Sequence, residues 1–177
     1  MIVLTSIKEG ILLSSYVALG EADTYFQTRL NTSAWDNASF DNQRSALADA
    51  TRIIDSLRLI GNKAVKDQEL RFPREGQEAL DTDIDSDTYG EMIPTVPDDV
   101  KIACMEIALA LLDGIMPEEE YMLLSQSTTR YASIAKQKTT VEMPEPHIVA
   151  GVPSLRAFRL LWKYIEQDQV VFLERNS

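Results

Sequence analysis

The sequence predicts a mainly α-helical fold: a small bundle of four to five helices with an extended segment or β-hairpin and extended termini. Apolar residues recur at spacings of three and four in several segments, and proline or glycine bounds most of these segments. A length of 177 residues with 45% hydrophobic residues is typical of one globular domain. Within it we expect a helical bundle at 14–127 and 153–166, an extended segment at 128–146, and extended arms at 1–13 and 167–177.

The first two predicted helices each have one apolar face. In residues 19–30 that face carries Leu19, Ala22, Phe26 and Leu30. In residues 41–59 it carries Leu47, Ala50, Ile53, Ile54 and Leu57, and Gly61 just beyond would close the helix. Asn, Ser and Asp residues fill the loop between the two helices. We expect its aromatic residues, Trp35 and Phe40, to fold back over the helices.

A proline begins each of the later predicted helices. Residues 97–113 start with Pro97 and two aspartates and are followed by Gly114. Their wide apolar face predicts a central helix that packs on more than one side. A short helix is predicted from Pro117, and a last one spans residues 153–166.

The charge of the chain disfavours a main role in holding phosphate backbones. The 28 acidic and 17 basic residues give a net charge of -11, whereas nucleic-acid binding depends on Lys and Arg displacing counterions. Eight carboxylates and no Lys or Arg lie between Glu78 and Asp99. Most of the net charge therefore comes from one segment.

Part of this acidic segment resembles a calcium-binding loop. Asp81, Asp83 and Asp85 match the first three acids of such a loop, but Ser86 replaces the turn glycine and Met92 replaces the bidentate glutamate. We therefore expect a solvated, flexible acidic loop, with weak divalent binding as the alternative. No metal site is predicted.

The residues that catalysis needs are scarce. The only His, His147, lies in a proline-rich connector, and the only Cys, Cys104, lies on the apolar face of the central helix, where a thiol is unreactive. There is no glycine-rich phosphate loop, and the opening residues form neither a signal peptide nor a membrane span. The sequence predicts a non-enzyme without cofactor or membrane partner. A single cysteine also favours a reducing compartment such as a cytoplasm.

The turn LRFPREG spans residues 70–76 and contains Arg71 and Arg74. With Lys63 and Lys66 these arginines form the densest group of basic residues in the first half of the sequence. Two hypotheses stay open for it. Arg71, Arg74 and Phe72 could hold single-stranded nucleic acid by charge and stacking. Alternatively, Phe72 anchors the turn in the core, Pro73 fixes its geometry and the arginines pair with nearby carboxylates.

The chain end carries an apolar, β-branched run. Its residues are Val170, Val171, Phe172 and Leu173. This run could dock on its own domain, or add as a strand or plug to another subunit. We take these four residues as candidates for partner binding.

Four stretches in order resemble one family of tailed-phage proteins: SYVALGEADTYFQTRL, ATRIIDSL, QELRFPREG and IPTVPDDVKIACMEIALALLDG. The family is that of the head-to-tail connector proteins, also called adaptor or head-completion proteins and often labelled DnaT-like single-stranded DNA-binding proteins. The resemblance covers about residues 14–116. It implies that LRFPREG is a pivot between two helices of one adaptor domain.

The resemblance also implies a function and partners. A homo-oligomeric ring, commonly of twelve copies, would sit below the portal protein in the virion neck, extend the DNA channel and present a surface to tail or nozzle proteins. Genomic DNA would pass through without specific binding, and assembly would take place in the bacterial cytoplasm. The alternatives are a single-stranded DNA-binding replication accessory protein or another neck or tail-completion protein.

Overall fold

The computed structural model describes residues 4–8, 11–119, 121–122 and 145–166, with side chains from residue 14 onward. This part of the chain is mainly α-helical with short extended pieces, which confirms the predicted fold class. The helices are α1 (Leu19–Gln27), α2 (Ser33–Asn37), α3 (Phe40–Ser56), α4 (Asp98–Leu112), α5 (Pro146–Val149) and α6 (Leu155–Leu161), which a 3-10 helix (Trp162–Tyr164) follows. Residues 117–119 are also helical, at the predicted position. No helix of the described part is long and apolar enough to cross a membrane.

Helix α4 is the central helix that the sequence predicts. It packs against α3 on one side and α6 on another. Its fully buried residues are Val100, Ala103, Cys104, Ile107 and Ala108. Asp98 and Asp99 lie in its first turn, where the helix dipole favours acids, and Gly114 follows its end with a φ of 82°. Burial of these apolar side chains is the main stabilising contribution of the bundle.

Cys104 belongs to this core, as predicted. Its sulfur lies 3.5 Å from Thr51 Oγ1, and the Thr51 hydroxyl donates to the Leu47 carbonyl at 2.9 Å. Burial raises the pKa of the Cys104 thiol to about 11. The thiol is therefore protonated at neutral pH and packs as a small apolar group.

Two antiparallel hairpins accompany the helices. Strands β1 (Leu4–Lys8) and β2 (Ile11–Ser15) pair from Leu4 opposite Ser15 to Lys8 opposite Ile11, and β2 runs beside α3. The backbone N–H of Tyr16, just after β2, donates to Thr51 Oγ1 of α3 at 3.2 Å. Strands β3 (Glu78–Leu80) and β4 (Met92–Pro94) form the second hairpin within the acidic segment. That segment was expected to be a flexible loop, and the pairing corrects this expectation.

The sequence pattern mispredicted the burial of two side chains, one in the first predicted helix and one in the loop that follows it. Leu30 is 82% exposed because α1 ends at Gln27 and Asn31 adopts a positive φ of 60°. Phe40 is the first residue of α3 and is 60% exposed; the guanidinium of Arg44 lies over its ring, 5.1 Å from the ring centre. Trp35, in contrast, is buried as predicted.

Helices α3 and α6 end earlier than the apolar periodicity of the sequence predicts. Helix α3 stops at Ser56 and Leu57 is extended, so Gly61, although its φ is 79°, lies in the following connector and does not close the helix. Helix α6 gives way to the 3-10 helix before Ile165. Both endings have one cause: Leu59 and Ile165 form an antiparallel bridge, which a continued helix on either side would prevent.

Phe72 joins the connector to this core. It is 2% exposed and makes edge contacts with the rings of Tyr16, at 5.8 Å, and Tyr164, at 5.4 Å between centres. Three separate parts of the chain therefore meet at one aromatic side chain. Such contacts add to the stabilisation that burial alone provides.

Phe72→Ala should lower the free energy of unfolding by about 3–5 kcal/mol, since it leaves a cavity between these parts. Phe40→Ala is the matched control and should lose less than about 1 kcal/mol, because most of this ring is already exposed to water. Urea unfolding followed by circular dichroism measures both. Equal losses would contradict the assignment of Phe72 to the core.

Candidate functional site

The connector, residues 57–77 between α3 and β3, is folded around the side chain of Arg74. That side chain is 7% exposed. Its guanidinium donates to the carbonyls of Ile60 at 2.7 Å, Leu59 at 3.3 Å, Arg71 at 3.3 Å and Gly61. Burial lowers the pKa of Arg74, but a guanidinium stays charged at any physiological pH. The carbonyl dipoles solvate its positive charge, and its N–H donors are used within the connector.

A second buried polar side chain completes the connector. Gln68 accepts a hydrogen bond from the Val65 N–H at 3.0 Å and donates to the carbonyls of Leu70 and Pro73, both at 2.9 Å. Lys63 in turn donates from Nζ to the Gln68 carbonyl at 2.9 Å. Two of the four predicted basic residues, Lys63 and Arg74, therefore hold the backbone of the connector.

Asp55 of α3 ties the connector to the bundle. Its carboxylate accepts hydrogen bonds from the Tyr16 hydroxyl and from the Arg71 N–H, the latter at 3.3 Å. The Tyr16 hydroxyl also accepts the Phe72 N–H at 3.1 Å. Burial raises the pKa of Asp55 above its ordinary value, and burial together with Asp55 raises the pKa of Tyr16. The phenol is thus a fixed structural donor at neutral pH.

The last helical segment closes the other side of the connector. The Ile60 N–H donates to the Tyr164 carbonyl at 2.8 Å, and the Glu166 N–H donates to the Arg58 carbonyl at 3.0 Å. These bonds flank the bridge between Leu59 and Ile165. The connector is therefore held by α3, by its own side chains and by the segment after α6.

These contacts decide between the two hypotheses for LRFPREG. Phe72 anchors the turn, as one hypothesis predicts, and its burial leaves no ring face for stacking on a base. The expected pairing of arginines with carboxylates is wrong, because both guanidinium groups bond to backbone carbonyls. The exposed side chains of the connector, which we name the connector surface, include Arg58, Ile60, Val65, Lys66 and Arg71 and the carboxylates Asp67, Glu69 and Glu75.

The second surface is the hairpin arm, residues 78–94. Its turn is ordered by its own polar groups: Asp81 bonds through its backbone to Gly90 and Glu91, both at 2.8 Å, and through its carboxylate to Thr88 Oγ1 at 2.7 Å. The hydrogen bond from Thr88, with one from Ser86, holds the pKa of Asp81 below its usual range. Asp81 therefore shapes the turn.

The arm does not gather its acids into a metal site. No three Asp, Glu, His or Cys side chains lie close enough to hold a metal ion within the described residues. Asp83 uses Oδ1 to accept the Asp85 N–H at 3.1 Å, and Asp81 is occupied as above. The partial calcium-loop pattern thus serves backbone turns.

A cleft of about 430 Å³ lies between β2, α3 and the connector. It is lined by Ser14, Thr51, Arg52, Asp55, Ser56, Glu69 and Leu70. Ser14 donates to Glu69 at 2.6 Å, and Arg52 pairs with Asp49. These side chains of the lining are therefore engaged in contacts within the protein.

Glu106, on α4, is a buried carboxylate that joins three helices. It accepts hydrogen bonds from Arg29 at 2.5 and 2.9 Å and from the Tyr25 hydroxyl at 2.6 Å, and Arg156 of α6 lies at 3.4 Å. Burial raises its pKa, but the bonds from Arg29 and Tyr25 more than offset this, so the pKa lies below its ordinary value. The periodic pattern of α4 gave no sign of this cluster.

The remaining sequence candidates divide into two groups. His147 lies in α5 and not in a loop, with its ring 6.4 Å from that of Phe158. The partner-binding candidates Val170, Val171, Phe172 and Leu173 lie outside the described residues, as do residues 128–144 of the predicted extended segment. Pro146, the end of that segment, begins α5.

Arg74→Ala should lower the free energy of unfolding by about 3 kcal/mol, because the buried carbonyl of Leu59 and three part-buried carbonyls lose their donor. Arg71→Ala, in an exposed position with one long bond to Leu57, should lose less than about 1 kcal/mol. Thermal and urea unfolding provide the comparison. A stable Arg74→Ala chain would mean that the connector does not depend on this guanidinium.

Glu106→Gln should lower the free energy of unfolding by about 2 kcal/mol at neutral pH, since it removes the charge that Arg29 binds. A lowered pKa means that this stabilisation is present above the unfolded-state pKa and is lost as pH falls through the folded-state value. The difference between wild type and variant should therefore shrink as pH falls below the ordinary pKa of glutamate and disappear once the pH lies below the lowered pKa of Glu106. Exposed Glu118→Gln is the control, and a difference that persists in acid would contradict the assigned ionisation.

Comparison with known proteins gives one result that bears on these surfaces. A search of curated proteins and a search of solved structures gave no match. A family model described as "Putative DnaT-like ssDNA binding protein" matches residues 9–143, which include α1 to α4, the connector and the hairpin arm. Because the match covers more than half of the chain, this protein belongs to that DnaT-like family.

Proposed function

We propose that this protein is a structural head-to-tail adaptor of a tailed phage. In this role its copies form a ring, of about twelve by the family resemblance, below the portal protein in the virion neck. The ring extends the DNA channel and offers a surface to tail or nozzle proteins. The role is structural and not enzymatic, and assembly takes place in the cytoplasm of the host bacterium.

The observation that carries the proposal is the charge of the surface. The chain has a net charge of -11, and every charged residue of the hairpin arm is acidic. Two of the four basic residues expected to meet nucleic acid, Lys63 and Arg74, bind backbone carbonyls. An acidic wall repels duplex DNA weakly and lets it slide, whereas a basic wall would hold it by counterion release.

The resemblance of residues 14–116 to phage adaptor proteins supports the same role. The described structure is compatible with it in one further respect: the segment after α6 is bonded to the connector and leads directly into the apolar run at residues 170–173. That run is the proposed contact for the portal or tail.

A second candidate function is single-stranded DNA binding, and the description of the matching family favours it more directly than it favours the adaptor. Its physical basis would be the exposed cations of the connector surface, Arg58, Lys66 and Arg71. At this surface the binding energy would come from contacts between cations and phosphates alone, since Phe72 is buried and cannot stack on a base. Such binding would be weak and strongly dependent on salt.

One pair of measurements separates the two functions. Native mass spectrometry of the chain mixed with the portal encoded by the same genome should show one defined stoichiometry. Fluorescence anisotropy with a labelled single-stranded oligonucleotide should show no binding at physiological salt. Lys66→Ala with Arg71→Ala should leave the portal complex unchanged.

The opposite pattern would replace the adaptor by the DNA-binding function. It consists of no portal complex at any concentration, together with oligonucleotide binding that weakens with salt and disappears in the Lys66→Ala, Arg71→Ala variant. Arg74→Ala is unsuitable for this test, because its effect on folding would be mistaken for an effect on binding.

A further inference from the structure

The hairpin arm carries apolar side chains that no described part of the chain covers. Leu80 and Met92 are directly paired in β3 and β4, so their side chains lie on one face of the hairpin, and each is more than half exposed. Ile84, in the turn, is 81% exposed, and Tyr89 is also exposed. Exposed apolar side chains concentrated in one short segment are typical of an interaction site.

Negative charge lies on the same face of the hairpin. Glu78 precedes Leu80 by two residues in β3, and alternate residues of a strand project to one face, so Glu78 shares the face of the apolar pair. The other exposed acids of the arm are Asp83, Asp85, Asp87 and Glu91. Within the described part of the chain none of these five carboxylates takes part in an ion pair. Because the arm contains no Lys or Arg, charge of a single sign adjoins its apolar side chains.

The arm is held in one conformation before it meets any partner. The backbone bonds of Asp81 with Gly90 and Glu91 and its carboxylate bond with Thr88 fix the turn. The Thr95 N–H donates to the Gln77 carbonyl at 2.9 Å and closes the base of the hairpin. A preordered arm loses little conformational entropy on binding, which favours its use as a contact.

Anionic partners are disfavoured at this surface. Nucleic acids and anionic lipid membranes carry the same sign of charge as the arm, so they are repelled by it. The apolar side chains of the arm therefore select a partner that is both apolar and cationic.

A second copy has few free cations to offer in its described part. In α6 and the 3-10 helix, Arg156 lies 3.4 Å from Glu106, and Lys163 pairs with Asp99 at 2.5 Å. The cations of the connector surface share that surface with the carboxylates Asp67, Glu69 and Glu75. The described part of the chain therefore does not supply the uniform positive charge that the arm would select.

We propose that the hairpin arm is a docking surface for a different protein, one that presents lysines or arginines around exposed apolar side chains. Leu80 and Met92 would lie against the apolar side chains of this partner, and Glu78 with the acids of the turn would face its cations. Burial of the apolar pair would supply affinity, while the charges would orient the partner and speed its association.

This surface differs in chemistry from the apolar run at residues 170–173. An adaptor joins two different partners and therefore needs two contact surfaces. The run contains no charged residue, whereas the arm is acidic, so the two surfaces would select different partners. The inference rests on the proposed function only in taking the partner of the arm to be another protein of the same assembly.

Three synthetic peptides of equal length probe the surface of the full chain. The first alternates arginine with leucine, the second replaces each leucine by serine, and the third replaces each arginine by glutamate. Fluorescence anisotropy of the labelled peptides measures affinity, and amide chemical shifts in NMR spectra locate the bound peptide. The first peptide should bind at residues 78–94 at least about tenfold more tightly than the second, and the third should not bind.

Two variants alter the arm, and a third is the matched control. One carries Leu80→Ser and Met92→Ser, and another carries Asp85→Asn, Asp87→Asn and Glu91→Gln. The control carries Asp113→Asn, Glu118→Gln and Glu119→Gln, which removes the same charge from exposed positions beyond the other end of α4. Each arm variant should bind the first peptide at least about tenfold more weakly, and the control should bind it within about twofold of the wild type. Circular dichroism should show the same folding for all four chains.

Four results would overturn the inference. The first is equal affinity of the arm variants and the wild type for the arginine–leucine peptide, and the second is equal affinity of the wild type for the serine peptide, which would show attraction by charge alone. The third is displacement of the peptide from residues 78–94 by a single-stranded oligonucleotide.

The fourth result would make this chain its own partner. It is either self-association in ultracentrifugation that the arm variants lose, or binding at the arm of a peptide with the sequence of residues 128–141, TTRYASIAKQKTTV, as tight as that of the arginine–leucine peptide. The portal protein takes no part in these experiments. Failure of the docking surface and failure of the adaptor function are therefore distinguishable.

Discussion

The connector depends on one buried guanidinium. Arg74 bonds to the carbonyls of Leu59, Ile60 and Gly61 and to that of Arg71, so it joins the two ends of a segment that has no regular secondary structure. Buried carbonyls without donors destabilise a fold, and a loop of this kind has many of them. A planar fork with five N–H donors can satisfy several at once, which a lysine cannot do. The path of the chain from α3 to the hairpin arm follows from that arrangement.

The same arrangement decides which charges of the connector face solvent. The inward bonds of Lys63 and Arg74 leave Arg58, Lys66 and Arg71 as the exposed cations of the connector, together with the exposed carboxylates Asp67, Glu69 and Glu75. The exposed charges of the connector are therefore mixed, whereas those of the arm that follows it are all negative.

Features that depend on apolar periodicity were predicted correctly from the sequence. Features that depend on contacts between residues far apart in the chain were not. The central helix, the burial of Cys104 and Trp35 and the anchoring role of Phe72 follow from apolar spacing and turn residues. The early ends of α3 and α6 depend on a bridge between Leu59 and Ile165, which are more than a hundred residues apart in the chain. The Glu106 cluster likewise combines α1, α4 and α6, and no local pattern reports such a contact. The β3–β4 hairpin was missed because each strand has three residues and neither alternates clearly.

The family description and the surface of this chain emphasise different chemistry. Binding of single strands usually combines a basic groove with exposed aromatic rings, and each base stacked on a ring contributes about 1–3 kcal/mol. Here the ring of the basic turn, Phe72, lies between Tyr16 and Tyr164 in the core. The exposed aromatic Tyr89 lies on the acidic arm, where phosphates are repelled. In the connector and the arm, cations and exposed rings thus lie apart, which disfavours binding of a single strand there; Phe40, exposed under the guanidinium of Arg44 at the start of α3, lies outside both segments.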